Sequence, residues 1–132
     1  MKNSNYNTFN KIIMDVSYFD KMALSAFTSL EKQSVYQLLC GAMMIDGNRD
    51  SREIAIINEV NQLMRITVED VESSRKLSEP TMTACLRNMS TLKKAYVGKF
   101  IAQVILADGV ITDKEEQFFY FMRDRLGLPE MD

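Results

Sequence analysis

The stretch FIAQVILADGVITDKE, residues 100–115, contains the features that decide the fold. It begins with a run that is apolar on every side of a helix, which predicts a buried central helix. Asp108 and Gly109 follow, and glycine readily adopts the left-handed conformation that ends helices. Thr112 is a good N-cap for a new helix, and Glu115 stands at the capping-box position. The stretch therefore predicts a helical hairpin whose loop is acidic.

The same order of features occurs earlier in the chain, in LLCGAMMIDGNRDSRE, residues 38–53. A shift of 62 positions superimposes three loop pairs: Asp46 on Asp108, Gly47 on Gly109 and Glu53 on Glu115. We interpret the chain as an internal repeat of two helical hairpins, about 28–66 and 91–128, that pack about a pseudo-twofold axis. Such packing would place both acidic loops, with four carboxylates, at one end or edge of the bundle.

Helical spacing of apolar residues continues over the rest of the chain. We predict an all-α fold, a single domain over residues 1–132 formed by a bundle of about six to seven helices, with residues 1–8 frayed. TSLE, residues 28–31, is typical of a capping box. Gly41 lies inside a predicted helix, costs about 1 kcal/mol relative to alanine, and so suggests close approach of another backbone. The first helical stripe consists of Phe9, Ile12, Ile13 and Val16.

The composition limits the possible classes of function. The 132 residues are 46% hydrophobic and 26% charged, with a formal net charge of −2, as in ordinary globular domains. A protein that binds nucleic acid through its phosphates needs a basic surplus, so we predict no nucleic-acid partner. The apolar runs are too short for an integral membrane segment, and the N-terminus is too polar for a signal peptide. Cys40 and Cys85 are expected to be reduced thiols, so we predict a cytoplasmic location.

The duplicated acidic loop has two interpretations at the level of sequence. In the first, its residues only end and cap helices, and each Asp accepts hydrogen bonds from loop amides. In the second, Asp46, Glu53, Asp108 and Glu115 bind a divalent cation such as Ca²⁺, Mg²⁺ or Mn²⁺, with water and backbone carbonyls completing the shell. A true EF-hand is excluded, because apolar residues occupy two of the required ligand positions in each copy.

At these residues the chain resembles the TerB-like (tellurite-resistance) superfamily, which includes the N-terminal region of DjlA-type co-chaperones. The resemblance rests on ADGVITDKEE, residues 107–116, and on IDGNRDSRE, residues 45–53. It spans roughly residues 28–129. The second loop fits the family pattern closely. In the first, Ile45 replaces the usual small residue and Arg49 the usual aliphatic one.

The resemblance implies an all-α domain of about seven helices. It also implies a role in stress response or in membrane-associated complexes. Metal binding is proposed for the family through its acidic loop residues, which correspond in this chain to Asp46, Glu53, Asp108 and Glu115.

Two classes of function are compatible with these features. The first is a non-catalytic TerB-like interaction module with protein partners, or a homodimer, and weak cation binding at the loops. The second is a small carboxylate-dependent, metal-assisted hydrolase, in which the carboxylates would have to converge in a cleft. Because the chain has no histidine and no evident nucleophile–base pair, we expect no catalytic residue. In FFYF, residues 118–121, Tyr120 and Phe121 either form a partner surface or cover other helices.

Overall fold

Seven α-helices account for the regular structure in residues 18–45 and 51–128, the part of the chain that this computed structural model describes. They are α1 (Tyr18–Ser25), α2 (Ser29–Met43), α3 (Ser51–Met64), α4 (Val68–Ser74), α5 (Glu79–Arg87), α6 (Thr91–Leu106) and α7 (Asp113–Leu126). Strands are absent from these two ranges. The predicted all-α bundle is therefore confirmed. No helix within the same ranges combines the length and apolar character needed to cross a bilayer.

Hydroxyl side chains cap the start of most helices. Thr28, Thr67 and Thr112 each accept a hydrogen bond from the amide three residues later, whose own carboxylate accepts one from the threonine amide. These reciprocal bonds are capping boxes, and the one predicted at residues 28–31 is confirmed. Ser78 and Ser90 are simple N-caps of α5 and α6. Local sequence thus fixes where these five helices begin.

The internal repeat is present in the structure and keeps its register. The first residues of α3 and α7 are 62 positions apart, and so are their last residues. Buried side chains in one hairpin correspond to buried side chains in the other. The matched pairs are Leu38 and Phe100, Leu39 and Ile101, Ala42 and Val104, Met43 and Ile105, Val60 and Met122, and Met64 and Leu126.

The repeat extends to the way in which α3 and α7 end. Arg65 and Gly127, at equivalent positions, have φ values of 56° and 71°. The next amide in each copy bonds back to the last turn, from Ile66 N to Asn61 O at 2.8 Å and from Leu128 N to Arg123 O at 2.9 Å. Both helices therefore end in the left-handed conformation of a Schellman motif.

The structural repeat is longer than the predicted hairpins. Helices α1 and α5 also end 62 positions apart, and both Leu24 and Leu86 are 1% exposed. Phe27 and Met89, just before α2 and α6, are both buried as well. Each repeat is thus a unit of three helices, residues 18–66 and 80–128. Helix α4 lies between the two units.

The two units pack with α2 and α6 in contact at the centre. Helix α1 contacts α3, and its counterpart α5 contacts α7. Near the pseudo-twofold axis, Glu31 and Lys93 occupy equivalent positions and form an ion pair of 2.7 Å with each other. The symmetry is incomplete, because α3 packs against α6 whereas α7 packs mainly against α5 and α6 rather than α2.

Gly41 does not have the environment that the sequence suggested. It lies on the exposed side of α2, and a Cβ added there would meet no atom within 4 Å in the described structure. The prediction that another backbone approaches Gly41 closely is therefore wrong. Its counterpart, Gln103, is buried in α6.

Candidate functional site

The acidic loop of the second repeat lies beside the start of α3, the helix that follows the first loop. Arg52, in the first turn of α3, directs Nη1 at the backbone carbonyl of Asp108 over 3.5 Å. This contact joins the first turn of α3 to the second acidic loop. The predicted proximity of the two acidic loops stays a prediction, because residues 46–50 lie outside the described part of the chain. Asp46, Gly47 and Asp50 lie outside the described residues.

Asp108 has a defined role in its own loop. Its Oδ1 accepts a hydrogen bond of 3.0 Å from the amide of Val110, two residues later, which is the pattern of an Asx turn. Gly109 between them has a φ of 80°, a conformation that favours glycine. The Asp-Gly pair therefore shapes the turn from α6 into α7, whether or not a ligand binds there.

Glu115 is part of the cap of α7. Its Oε1 accepts a hydrogen bond of 3.0 Å from the amide of Thr112, and its own amide donates to Thr112 Oγ1 at 3.1 Å. Glu115 is 1% exposed, and its counterpart Glu53 in α3 is 3% exposed. Burial of a carboxylate is costly unless hydrogen bonds satisfy it, and the capping box supplies one of these to Glu115.

No metal site is visible among the three candidate ligands that the structure describes, Glu53, Asp108 and Glu115. Within residues 18–45 and 51–128, Cys, Asp and Glu form no group of three or more that could hold an ion. Asp108 and Glu115 are both engaged with loop and cap amides. Because Asp46 lies outside the described residues, cation binding by the full set of four stays a prediction.

An apolar groove lies between α6 and α7, next to the acidic loop. Its volume is about 300 Å³. The lining residues are Ala102, Ile105 and Leu106 of α6, Ile111 of the loop, and Glu116, Phe119 and Tyr120 of α7. Glu116 is the one carboxylate among them, and neither Asp108 nor Glu115 is included. The groove therefore suits apolar side chains better than paired-carboxylate chemistry.

Two of the lining residues, Ile111 and Tyr120, are exposed, and each has an exposed apolar neighbour in the sequence that is not part of the lining. Val110 is 62% exposed and Ile111 is 49% exposed, although both lie in a short loop between two well-packed helices. Tyr120 and Phe121 are 47% and 58% exposed. Of the two interpretations of FFYF, exposure on the surface is therefore the one that the structure supports. Sequence reasoning missed Val110 and Ile111, for which the available signal was an aliphatic pair directly after a loop glycine.

Two arginines cover the outer aromatic rings of α7. The Cζ atom of Arg123 lies 4.9 Å from the ring centre of Tyr120, and that of Arg125 lies 5.8 Å from Phe121. Cation–π contacts of this kind favour defined ring positions at an exposed surface. The exposed aromatic rings of α7, of which Tyr120 but not Phe121 lines the groove, are thus partly ordered by neighbours on the same helix.

A second polar feature lies between α1 and α6. The Tyr96 hydroxyl donates a short hydrogen bond to Oδ1 of Asp20, 76 positions away in the sequence. Burial, together with the Asp20 carboxylate, raises the pKa of Tyr96 to about 12. Beside this pair is a cavity of about 20 Å³ that is also lined by Gln103. Sequence reasoning missed this cluster, since no local pattern connects residues so far apart.

Comparison with known proteins supports the fold alone. No protein-family model matches the chain, and no curated protein matches its sequence. A solved structure of similar fold is a protein of unknown function from Porphyromonas gingivalis W83, PG1108, with a TM-score of 0.67 and 22% sequence identity. The similarity covers 80% of this chain and 83% of that one.

Proposed function

We propose that this chain is a non-catalytic helical module of the TerB-like type that binds another protein through the groove between α6 and α7. The observation that carries the proposal is the apolar groove itself, whose lining includes the exposed side chains of Ile111 and Tyr120. Exposed apolar clusters of this kind are typical of interaction sites rather than of inert surface. The proposal includes the cytoplasmic location and the stress-response role that the sequence and its resemblance suggested.

The chemistry of the groove indicates what kind of partner would suit it. Apolar side chains line most of it, and Glu116 contributes a single negative charge. A complementary partner would present two or more apolar side chains with a lysine or arginine beside them. An amphipathic helix meets this requirement, because its residues at spacings of three and four share one face.

Partner capture from the native host tests the proposal when it is done with matched variants. Ile111→Asp places a charge at the groove, whereas Val68→Asp places one at a more exposed position, 74% against 49%, at the start of α4. We expect a protein that is retained by the wild type and by Val68→Asp but lost by Ile111→Asp. Retention of every captured protein by Ile111→Asp would contradict the proposal, and so would equal loss from both variants.

The proposal retains weak binding of a divalent cation at the acidic loops, through Asp46, Glu53, Asp108 and Glu115. It is supported by the contact between Arg52 and the Asp108 carbonyl, which brings the first turn of α3 beside the second acidic loop. Millimolar Ca²⁺, Mg²⁺ or Mn²⁺ should then raise the melting temperature of the wild type, because an ion that binds only the folded state stabilises it. The double variant Asp46→Asn/Asp108→Asn should lose this shift. An unchanged melting temperature for the wild type with all three ions would end the idea.

A further inference from the structure

One face of α6 is more open at Ala95 than the corresponding face of α2 is at Gln33. Five residues of α6 at alternating spacings of three and four form a line, which we call the α6 stripe: Leu92, Ala95, Lys99, Ala102 and Leu106. Leu92 and Leu106, at its two ends, are 47% and 41% exposed, and Ala95 is exposed as well. A line of small and apolar residues on a helix is the kind of surface against which another helix packs.

The equivalent line on α2 is partly covered by α4. Gln33 Nε2 donates to Asp70 Oδ1 at 3.3 Å. Gln37 Nε2 donates to the carbonyls of Ser74 and Leu77, at 3.2 and 3.0 Å. The ends of the α2 line stay open, since Leu30 and Met44 are each 44% exposed, much like the ends of the α6 stripe. The two faces therefore differ in exposure mainly at one position, where Ala95 is exposed and its counterpart Gln33 is half-buried beside α4.

The pseudo-twofold symmetry indicates what would occupy the α6 stripe at Ala95 and Lys99. Helix α4 immediately precedes α5, the first helix of the second unit, and packs against α2 of the first unit. Under the symmetry, the segment that precedes α1 would pack against α6 of the second unit. A shift of 62 positions places Val68–Ser74 on residues 6–12. That segment lies outside the described residues.

We propose that the segment before α1, residues 6–15, binds the α6 stripe at Ala95 and Lys99 in the way that α4 binds Gln33 and Gln37 of α2. Between the first and the second unit, the residue on the central helix and the residue that would face it differ in a matched way, as the proposal requires. Where Gln33 pairs with Asp70 in the first unit, the equivalent residues are Ala95 and Thr8, so donor and charged acceptor are both absent. A mismatch would have left a buried charge or an unpaired donor, either of which is costly.

Two further positions agree with the same placement. Ser74, which is 2% exposed against α2, corresponds to Ile12, an apolar residue of the predicted N-terminal stripe. Gln37, which donates to two carbonyls at the end of α4, corresponds to Lys99. A lysine ammonium can donate to the same carbonyls and is favoured at the negative end of a helix.

Disulfide trapping in the full-length chain tests this proposal. Thr8→Cys and Ala95→Cys take the places that correspond to Asp70 and Gln33, whose polar atoms are 3.3 Å apart. Cys40 and Cys85 are replaced by alanine. Under mild oxidation we expect a cross-link within one chain, at a rate independent of protein concentration. The matched control pairs Thr8→Cys with Ile54→Cys, an exposed position on α3, and should cross-link much more slowly.

The possible outcomes distinguish the N-terminal segment from a second copy of the chain as the group that covers the α6 stripe. Cross-links only between chains would overturn the proposal in favour of a second copy, and equal rates for the two cysteine pairs would overturn it outright. A second measurement covers a failure of the disulfide to form. With Ala95→Cys as the only thiol, Ile12→Asp should increase maleimide labelling severalfold, and an unchanged rate would also overturn the proposal. Ala95 does not line the groove assigned to a partner, so this result is independent of the proposed function.

Discussion

Gly41 and Gly127 are the same residue type in opposite situations. Gly41 lies within α2 on an open surface, so it contributes only the entropic cost of glycine in a helix. Gly127 ends α7 with a φ of 71°, and a Cβ there would lie 3.3 Å from Lys94 Nζ. An alanine at that position would face a strained backbone and a close contact.

We therefore expect opposite effects from two identical substitutions. Gly41→Ala should raise the free energy of unfolding by about 1 kcal/mol, the difference in helix propensity between the two residues. Gly127→Ala should lower it by about 1 kcal/mol or more, because alanine disfavours positive φ. Urea denaturation of both variants checks the pair. A loss of stability in Gly41→Ala would show that another group occupies the space above α2.

The hydrogen bond between Tyr96 and Asp20 should make the free energy of unfolding decrease at alkaline pH. The folded-state pKa of Tyr96, about 12, is above its ordinary value of 10.0 because of burial and the nearby carboxylate. The folded protein thus holds this proton more tightly than the unfolded chain does. The contribution to stability is complete below pH 10 and is lost as the pH rises from about 10 towards 12.

Tyr96→Phe should remove this part of the alkaline decline. Urea denaturation of both proteins at several pH values between 9 and 12 gives the comparison, and lysine titration cancels in the difference. Parallel stability curves for wild type and variant over this range would contradict the assigned pKa shift.

At the scale of the helix, α3 and α7 end in the same way with different residues. Arg65 adopts a φ of 56° that costs a non-glycine residue free energy, whereas Gly127 adopts its equivalent at little cost. The conformation at Arg65 is imposed by its surroundings, since Ile66 N bonds to Asn61 O and Lys32 Nζ lies 3.5 Å from the Arg65 carbonyl. Packing of α3 against α1, α2 and α6 thus overrides a local preference.

Arg65→Gly should relieve this cost and raise the melting temperature. The expected gain is about 1 kcal/mol, reduced by the greater freedom of glycine in the unfolded chain. Arg65→Ala is the matched control, because it also removes the side chain but keeps the strained backbone. Thermal unfolding should place Arg65→Gly above both the wild type and Arg65→Ala. An order with alanine as the more stable variant would show that the backbone is not strained there.

At the scale of the molecule, the ion pair between Glu31 and Lys93 offers a test of the pseudo-twofold symmetry, because the two residues occupy equivalent positions. Their Oε1 and Nζ atoms are 2.7 Å apart, and both side chains are mostly buried. Burial acts to raise the pKa of Glu31, but hydrogen bonds from Lys93 and the Thr28 amide outweigh it and hold that pKa below its ordinary value. Stability from this pair is therefore present above the usual glutamate pKa and is lost as the pH falls below it.

Equivalence of the two positions predicts that the charges can be exchanged. Glu31→Lys and Lys93→Glu should each destabilise the protein by about 1–3 kcal/mol, because two like charges then meet in a partly buried site. The double variant should recover most of this loss, since Glu at position 93 would also complete a capping box with Ser90. A double-mutant cycle from urea denaturation measures the coupling. Additive losses would show that the two positions are not in contact.

The local chemistry of the sequence determined the helices, their caps and the register of the repeat. Apolar spacing marked the buried faces, and the shift of 62 positions predicted which residues would be equivalent. Such features depend on interactions between residues three or four apart, so they can be recognised without knowledge of the rest of the chain. The acidic loop was recognised for the same reason, and its two interpretations followed from residue types alone.

Only the tertiary structure decided which of these surfaces are covered. It showed Val110 and Ile111 at the surface beside a groove, joined Tyr96 to Asp20, and imposed positive φ on Arg65. It also extended the repeat from two helices to three and left Ala95 of the α6 stripe exposed, whereas its counterpart Gln33 on α2 is half-buried. These outcomes depend on contacts between residues far apart in the sequence, because burial and charge pairing are properties of the packed units and not of either helix alone.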